Sequence, residues 1–96
     1  MADAAPVTKI EEQKRLTGHI GWLTAIVFLP DGQRALSASE DKTARLWNLS
    51  SAQEIMQLRG HDGPLTCCAV SQNGKLAVTG SNDGSARLWD LETGKE

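Results

Sequence analysis

The chain has 96 residues, of which 40 % are hydrophobic and 23 % are charged, which is typical of one small globular domain. Its formal net charge of −2 gives no basic field that would hold a nucleic-acid backbone or an anionic membrane. No apolar run approaches the roughly 20 residues that span a bilayer, and the first residues lack a signal-peptide pattern. We therefore expect no nucleic-acid partner, no membrane partner and a cytoplasmic location.

Short strands separated by turn sequences are predicted along most of the chain. We expect residues 1–7 to be disordered and residues 8–17 to form an edge strand. The next four strands are predicted at residues 24–29, 34–39, 43–48 and 53–59. A Pro-Asp-Gly turn sequence ends the first of these four, and Asn73-Gly74 makes the matching hairpin turn later in the chain. Since no window has a convincing helical period, the sequence predicts an all-β meander.

A duplicated unit is visible at an offset of 42 residues. The recurring anchors are Gly18-His19 with Gly60-His61, and Trp47 with Trp89. Between these anchors the two copies stay in register without a gap, which chance does not produce. The sequence therefore predicts two repeats, at residues 18–59 and 60–96.

The repeated unit resembles the WD (β-transducin-like) repeat, whose signature is Gly-His, a turn with Asp-Gly or Asn-Gly, Ser-x-Asp and Trp-Asp. The resemblance covers roughly residues 16–96, and the first copy departs at one anchor, Asn48, where the family often has Asp. It implies two four-stranded antiparallel blades of a β-propeller. Such a pair is an incomplete propeller unless it oligomerises or belongs to a longer chain.

The resemblance also implies a hydrogen-bonded set of four side chains in each blade. These sets are His19, Ser39, Asp41 and Trp47 in the first copy, and His61, Ser81, Asp83 and Trp89 in the second. Burial of an indole N–H demands an acceptor, which the Ser hydroxyl would supply. A Ser-His-Asp catalytic triad needs one exposed nucleophile, whereas this set occurs twice with a Trp attached. We therefore expect structural sets, no catalytic residues and no enzyme.

The sequence predicts neither a metal site nor a disulfide. His19 and His61 lie one blade apart without a ligand cluster, and no glycine-rich phosphate loop precedes a helix, so no metal or cofactor is expected. Cys67 and Cys68 are adjacent, and neighbouring strand residues point to opposite faces, which disfavours a disulfide between them. Reduced thiols that fill the core fit an intracellular setting.

If the four-residue sets are structural, partners are expected on the loop face of the blades. The resemblance implies that the exposed positions there are Trp22, Thr24 and Glu40 in the first copy, and Pro64, Thr66 and Asn82 in the second. The repeat has Pro64 at the position of Trp22, so the fold does not require a Trp there, and an exposed Trp is a typical interface anchor. Alternatively, Trp22 packs on the neighbouring loop or on Ile20. Arg45 and Arg87 are expected to make cross-strand ion pairs.

Two blades cannot close a ring, so their outer faces need a cover. The candidate blade-core residues are Ile26, Phe28, Leu36, Cys68, Val70 and Val78. Either three or four copies form a closed ring, with exchange of the strand at residues 8–17, or the chain is a piece of a longer propeller. The leading hypothesis is a non-catalytic scaffold that binds proteins or peptides. The alternative is a self-assembling structural module whose only partner is itself.

Overall fold

The computed structural model describes residues 15–96, and within them it contains two antiparallel β-sheets and no helix. The first sheet consists of β1 (Leu23–Phe28), β2 (Arg34–Ser39), β3 (Thr43–Asn48) and β4 (Gln53–Arg59). The second consists of β5 (Leu65–Val70), β6 (Leu76–Ser81) and β7 (Ala86–Asp90). In both sheets the strands follow one another in sequence order, so each sheet is a meander. The all-β prediction of blade-like sheets is confirmed.

The second sheet has three strands, one fewer than the four-stranded blade that the resemblance implies. After β7, residues 91–96 make a turn that is closed by a bridge between Asp90 and Lys95. The disorder predicted at residues 1–7 and most of the edge strand predicted at 8–17 lie outside the described residues. The described end of that segment, residues 15–17, is not part of a strand.

One face of the first sheet is apolar from edge to edge. Val27 pairs with Leu36, Leu36 with Leu46, and Leu46 with Met56. Residues that are directly opposed in an antiparallel sheet point to the same side, so these four side chains form one continuous stripe. The stripe is the side of the first sheet that turns toward the second sheet.

The core lies between this stripe and the second sheet. Strand β5 contacts β1, β2 and β3. The buried cluster consists of Leu29, Leu36, Ala38, Ala44, Leu46, Leu58, Leu65, Ala77, Trp89 and Leu91. Two hydrogen bonds also cross from sheet to sheet: Thr24 Oγ1 donates to the carbonyl oxygen of Leu65 at 2.9 Å, and the Cys68 thiol donates to the carbonyl oxygen of Leu36 at 3.9 Å. The two sheets are therefore joined by apolar packing and by these two polar contacts.

Only half of the predicted blade-core residues are covered in the chain. Those that lie at the contact between the sheets are Leu36, Cys68 and Val70. The others are wrong as core residues of this pair, since Ile26 is 54 % exposed, Phe28 72 % and Val78 43 %. Alternation along the strands places them on the sides of the two sheets that face away from the contact.

Candidate functional site

A buried series of hydrogen bonds in the first sheet runs from an indole to a carboxylate. The Trp47 indole N–H donates to Ser37 Oγ at 2.8 Å. Ser37 Oγ lies 2.7 Å from His19 Nε2, and His19 Nδ1 lies 2.7 Å from Asp41 Oδ2. Since a carboxylate only accepts, Nδ1 of His19 carries the hydrogen of that contact. The series ties the strand that bears Trp47 to the loop that bears His19.

The second sheet repeats this series with a threonine in place of the serine. The Trp89 indole N–H donates to Thr79 Oγ1 at 2.8 Å, and Thr79 Oγ1 lies 2.8 Å from His61 Nε2. His61 Nδ1 lies 3.0 Å from Asp83 Oδ2. Both series therefore have the same chemistry, an indole, a hydroxyl, an imidazole and a carboxylate in that order.

The prediction that Ser39 and Ser81 supply the hydroxyl is wrong. Trp47 is directly opposite Ala35 in the register of β2 and β3. The next residue of β2 on the same face is Ser37, and Ser39 lies two positions further from the indole, about 7 Å along the strand. The indole therefore meets the nearer hydroxyl.

Ser39 and Ser81 stabilise the turns that follow their strands. Ser39 Oγ accepts a hydrogen bond from the backbone N–H of Asp41 at 3.0 Å. Ser81 Oγ does the same for Asp83 at 3.0 Å and also donates to the carbonyl oxygen of Gly63 at 3.0 Å. These serines position the aspartates of the two series without belonging to the series themselves.

Asp41 is the point where the series meets the turn. Its carboxylate accepts from the backbone N–H groups of Ile20 at 3.1 Å and Thr43 at 2.9 Å, and from the Thr43 hydroxyl at 2.5 Å. Burial by itself would raise the pKa of Asp41, but these bonds and the one from His19 outweigh it and lower the pKa from 3.8 to about 2. The ionised carboxylate thus joins two loops that are distant in the sequence.

Asp83 occupies the same position in the second sheet. The Ser85 hydroxyl is the main cause that lowers the pKa of Asp83, and the backbone N–H of Asp62 and the His61 ring also contribute. The hydroxyls of the two series, Ser37 and Thr79, are buried and already bonded to an indole and an imidazole. A buried hydroxyl without a free approach suits a structural contact and does not suit a nucleophile.

The glycine before each histidine makes room for an arginine and a tryptophan. A Cβ atom on Gly18 would lie 2.7 Å from Arg45 Nη1, and one on Gly60 would lie 2.6 Å from Arg87 Nη1. Arg45 Nη1 donates to Glu54 of the neighbouring strand β4 at 2.7 Å, so the predicted cross-strand ion pair is confirmed there. Arg87 instead pairs at 3.0 Å with a carboxylate that follows the last strand, that of Glu96.

The loop-face residues come together in pairs. The Glu40 backbone N–H donates to the carbonyl oxygen of Trp22 at 2.9 Å, and the Asn82 N–H donates to that of Pro64 at 3.0 Å. Trp22 is 80 % exposed and Ile20 is 92 % exposed, so neither side chain covers the other. The packing of Trp22 on Ile20, considered above as an alternative, is not what the structure has.

The two predicted threonines differ in what they contact. The Thr24 hydroxyl lies 3.3 Å from the carbonyl oxygen of Ala38, besides its 2.9 Å bond to that of Leu65, so it is occupied in joining the sheets. Thr66 is exposed, and the contact of its hydroxyl is with Cys67 Sγ at 3.9 Å. Of the two hydroxyls, the one of Thr24 is therefore engaged with backbone carbonyls and the one of Thr66 contacts its neighbour in the chain.

Two exposed apolar residues beside Trp22 were missed by the sequence analysis. Ile20 and Leu23 flank Trp22, and all three are exposed large hydrophobic side chains. A comparison of the two repeats at each position could have found Ile20, because its counterpart 42 residues later is Asp62. We call Ile20, Trp22 and Leu23 the loop patch.

Residues 15–96 contain neither a cluster of metal ligands nor a membrane-spanning helix. Nowhere in this range do three or more His, Cys, Asp or Glu side chains gather as they would around a metal ion. The same range has no helix that is long and apolar enough to cross a membrane.

Comparison with known families identifies the family to which the chain belongs. The family model described as "WD domain, G-beta repeat" matches residues 10–48 and 52–90. Because these two stretches make up most of the chain, it belongs to the WD-repeat family, and the resemblance seen in its motifs is confirmed.

Individual relatives match the chain over short stretches. The chain is 60 % identical over 35 residues to nuclear distribution protein nudF 2 of Aspergillus clavatus, which is 36 % of this chain and 8 % of that protein. It is 54 % identical over 37 residues to nuclear distribution protein PAC1 of Coccidioides posadasii, 38 % of the chain and 8 % of the relative. It is 46 % identical over 39 residues to Lissencephaly-1 homolog 1 of Paramecium tetraurelia, which is 41 % of this chain and 10 % of that protein. The matched stretch spans a tenth or less of each of these relatives.

Proposed function

We propose that this chain is a non-catalytic cytoplasmic scaffold that binds proteins or peptides through the loop face of its blades. The observation that carries the proposal is Trp22, which is 80 % exposed although the repeat places a proline at the same position of the second blade. A fold that does not need the indole, yet presents it to solvent, favours its use as a contact residue.

The loop that carries Trp22 is well suited to rigid binding. Its two ends are held by the Ile20 N–H bond to Asp41 and by the Glu40 N–H bond to the Trp22 carbonyl. A loop that is ordered before a partner arrives loses less conformational entropy on binding. The buried series of hydrogen bonds therefore helps to order the loop patch, since it fixes the carboxylate of Asp41, which accepts the hydrogen bond from the loop.

The proposed contact set combines exposed residues with the half-buried Pro64, which takes the place of Trp22 in the second sheet. It consists of Trp22, Glu40, Pro64, Thr66 and Asn82, with Ile20 and Leu23 added from the loop patch. Thr24 is left out because its hydroxyl already bonds across the two sheets. An apolar patch bordered by one carboxylate and neutral polar groups fits a peptide with an apolar anchor and a nearby basic residue.

Trp22→Ala tests this proposal. Peptides selected on the immobilised wild-type chain are titrated against the wild type, Trp22→Ala and the control Ile55→Ala, which removes another exposed apolar side chain far from the loops in sequence. For a central anchor, we expect Trp22→Ala to weaken binding by about 30-fold or more, and Ile55→Ala to leave it unchanged. Selected peptides that bind Trp22→Ala as tightly as the wild type would remove the basis of the proposal.

A self-assembling module is the second candidate, and the apolar outer faces favour it. Ile26 and Phe28 are exposed on the first sheet, and Val78 and Leu88 on the second. Sedimentation of the purified chain measures the subunit count directly. This candidate requires a trimer or tetramer, and a chain that stays monomeric at high concentration contradicts it, leaving the blades of a longer chain as the cover for these faces.

A further inference from the structure

Each sheet has one outer face on which large apolar side chains are exposed. We call Leu23, Ile26 and Phe28 the leading face, which is the side of the first sheet turned away from the second. We call Ala69, Val78 and Leu88 the trailing face, which is the side of the second sheet turned away from the first. Side chains of both faces are exposed in the chain, including large ones such as Phe28 at 72 % and Leu88 at 54 %.

The repeat relates these outer faces to the contact that already exists inside the chain. At that contact the first sheet contributes Val27, Leu36 and Leu46, and the residues 42 positions later are the trailing face. The second sheet contributes Leu65, Cys68 and Val70, and the residues 42 positions earlier are the leading face. The two outer faces are therefore the two halves of a second contact of the same kind.

The sizes of the side chains on the two outer faces compensate each other. On the leading face Ile26 and Phe28 are larger than the cysteine and valine at the matching positions of the internal contact. On the trailing face Ala69 and Val78 are smaller than the matching valine and leucine, and Gly80 replaces an alanine. A contact between the outer faces would thus have a similar total side-chain volume, which is the property that a close-packed core preserves.

The hydroxyl contact of the internal interface also has its counterpart. The donor is the Thr24 hydroxyl and the acceptor is the Leu65 carbonyl oxygen. The matching donor is the Thr66 hydroxyl, and the matching acceptor is the carbonyl oxygen of Leu23. The pairing of β5 with β6 shifts register just before Cys67, as that of β1 with β2 does just before Ala25, so the backbone around both threonines has the same irregularity.

We infer that a second copy of this chain docks head to tail, with the trailing face of one copy on the leading face of the next. The Thr66 hydroxyl of one copy then donates to the Leu23 carbonyl of its neighbour. This inference rests on the self-assembly candidate above and gives it a geometry. Because each contact repeats the internal one, successive blades follow a single rotation, and the subunit count reports whether that rotation closes into a ring or continues into an open filament.

The head-to-tail geometry makes a prediction that a symmetric face-to-face dimer does not. Phe28→Glu places a charge on the leading face and leaves the trailing face intact, and Val78→Glu does the reverse. By sedimentation velocity we expect a wild-type trimer or tetramer, two monomeric variants, and a heterodimer when the two variants are mixed in equal amounts. Ile55→Glu, outside both faces as defined, is the control and should assemble like the wild type.

The outcomes separate this inference from the candidate on which it rests. A wild-type monomer overturns both, and it assigns the faces to other blades or to another partner. A wild-type oligomer whose two variants do not pair, or either of which associates with itself, overturns the head-to-tail geometry alone. Circular dichroism checks that each variant is folded, and Ile26→Lys with Leu88→Lys repeats the experiment if one of the first pair is not.

The polar contact and a cysteine provide two further measurements. Thr66→Val should raise the dissociation constant between subunits by about three- to tenfold, whereas Thr66→Ser keeps the hydroxyl and should restore it. Cys67 is exposed and shares its side of the second sheet with Ala69. It should react with iodoacetamide several times more slowly in the assembled wild type than in Phe28→Glu, and equal rates would contradict the contact.

Discussion

The two sheets have the same buried hydrogen-bond series and very different surfaces. Between them the series changes by one residue, from Ser37 to Thr79, and every contact is preserved at 2.7 to 3.0 Å. On the loops, by contrast, a tryptophan in the first sheet is replaced by Pro64 in the second, and an isoleucine by Asp62. Two copies of one unit thus separate what the blade needs from what its surface is free to vary.

The most recognisable residues of the repeat have a structural role in the blade. The residues by which the repeat is recognised hold the blade together, because a buried indole N–H or imidazole without a partner is costly. The residues that differ between the two loops, such as Trp22 and Ile20, are by contrast exposed.

The largest effect is expected when the indole of either series is removed. Trp47→Ala and Trp89→Ala each delete a buried side chain that is at most 3 % exposed, and each should lower the free energy of unfolding by about 3–5 kcal/mol. Urea unfolding followed by circular dichroism measures this loss. The exposed Trp22→Ala is the matched control and should change stability by no more than about 0.5 kcal/mol. A large loss in Trp22→Ala would show that the loop patch is structural after all.

The next effect separates the two serines of the first sheet. Ser37→Ala leaves the Trp47 indole and His19 Nε2 without their shared partner, so we expect a loss of about 2–3 kcal/mol. Ser37→Thr introduces the residue that the second sheet uses, and it should be nearly neutral. Ser39→Ala removes one bond to a turn N–H and should cost about 1 kcal/mol. The same urea titration ranks the three variants, and equal losses for both alanine variants would contradict the assignment of Ser37.

The assignment of Ser37 shows where sequence reasoning stops. Alternation and turn signals predicted the strand at 34–39, and the structure has β2 at the same residues. They could not predict which hydroxyl accepts the hydrogen bond of the Trp47 indole. Ser37 and Ser39 lie on the same face, and only the register with β3 decides which one the indole reaches. In the same way, alternation identified Ile26 and Phe28 as apolar positions, but it carries no information on whether a neighbouring blade covers them.

A pH-dependent loss of stability should follow from the carboxylate at the turn. Because the folded chain holds the pKa of Asp41 at about 2, below its unfolded value of 3.8, the stabilisation is fully present above about pH 5 and is lost as the pH falls toward 2. We expect Asp41 to account for roughly 1–2 kcal/mol of that loss. Thermal unfolding at a series of pH values checks this, with Asp41→Asn as the comparison. Asp41→Asn should be less stable than the wild type at pH 7, and its stability should fall less on acidification. An equal fall in stability in both chains would show that Asp41 is not the cause.

The smallest effect concerns a turn at which the two sheets differ in backbone cost. Lys42 has a φ of 77°, and its counterpart in the second sheet is Gly84 with a φ of 88°. A residue with a Cβ is strained in this left-handed region, whereas glycine is not, although glycine adds freedom to the unfolded chain. Lys42→Gly should therefore stabilise the first sheet by up to about 1 kcal/mol, and Gly84→Ala should destabilise the second by a similar amount. If the melting temperatures shift in these opposite directions, Lys42 is not needed for the stability of its turn. The first blade then carries backbone strain at a residue that places a positive charge beside Glu40. If Lys42→Gly lowers the melting temperature instead, the lysine side chain stabilises the turn and has a structural role.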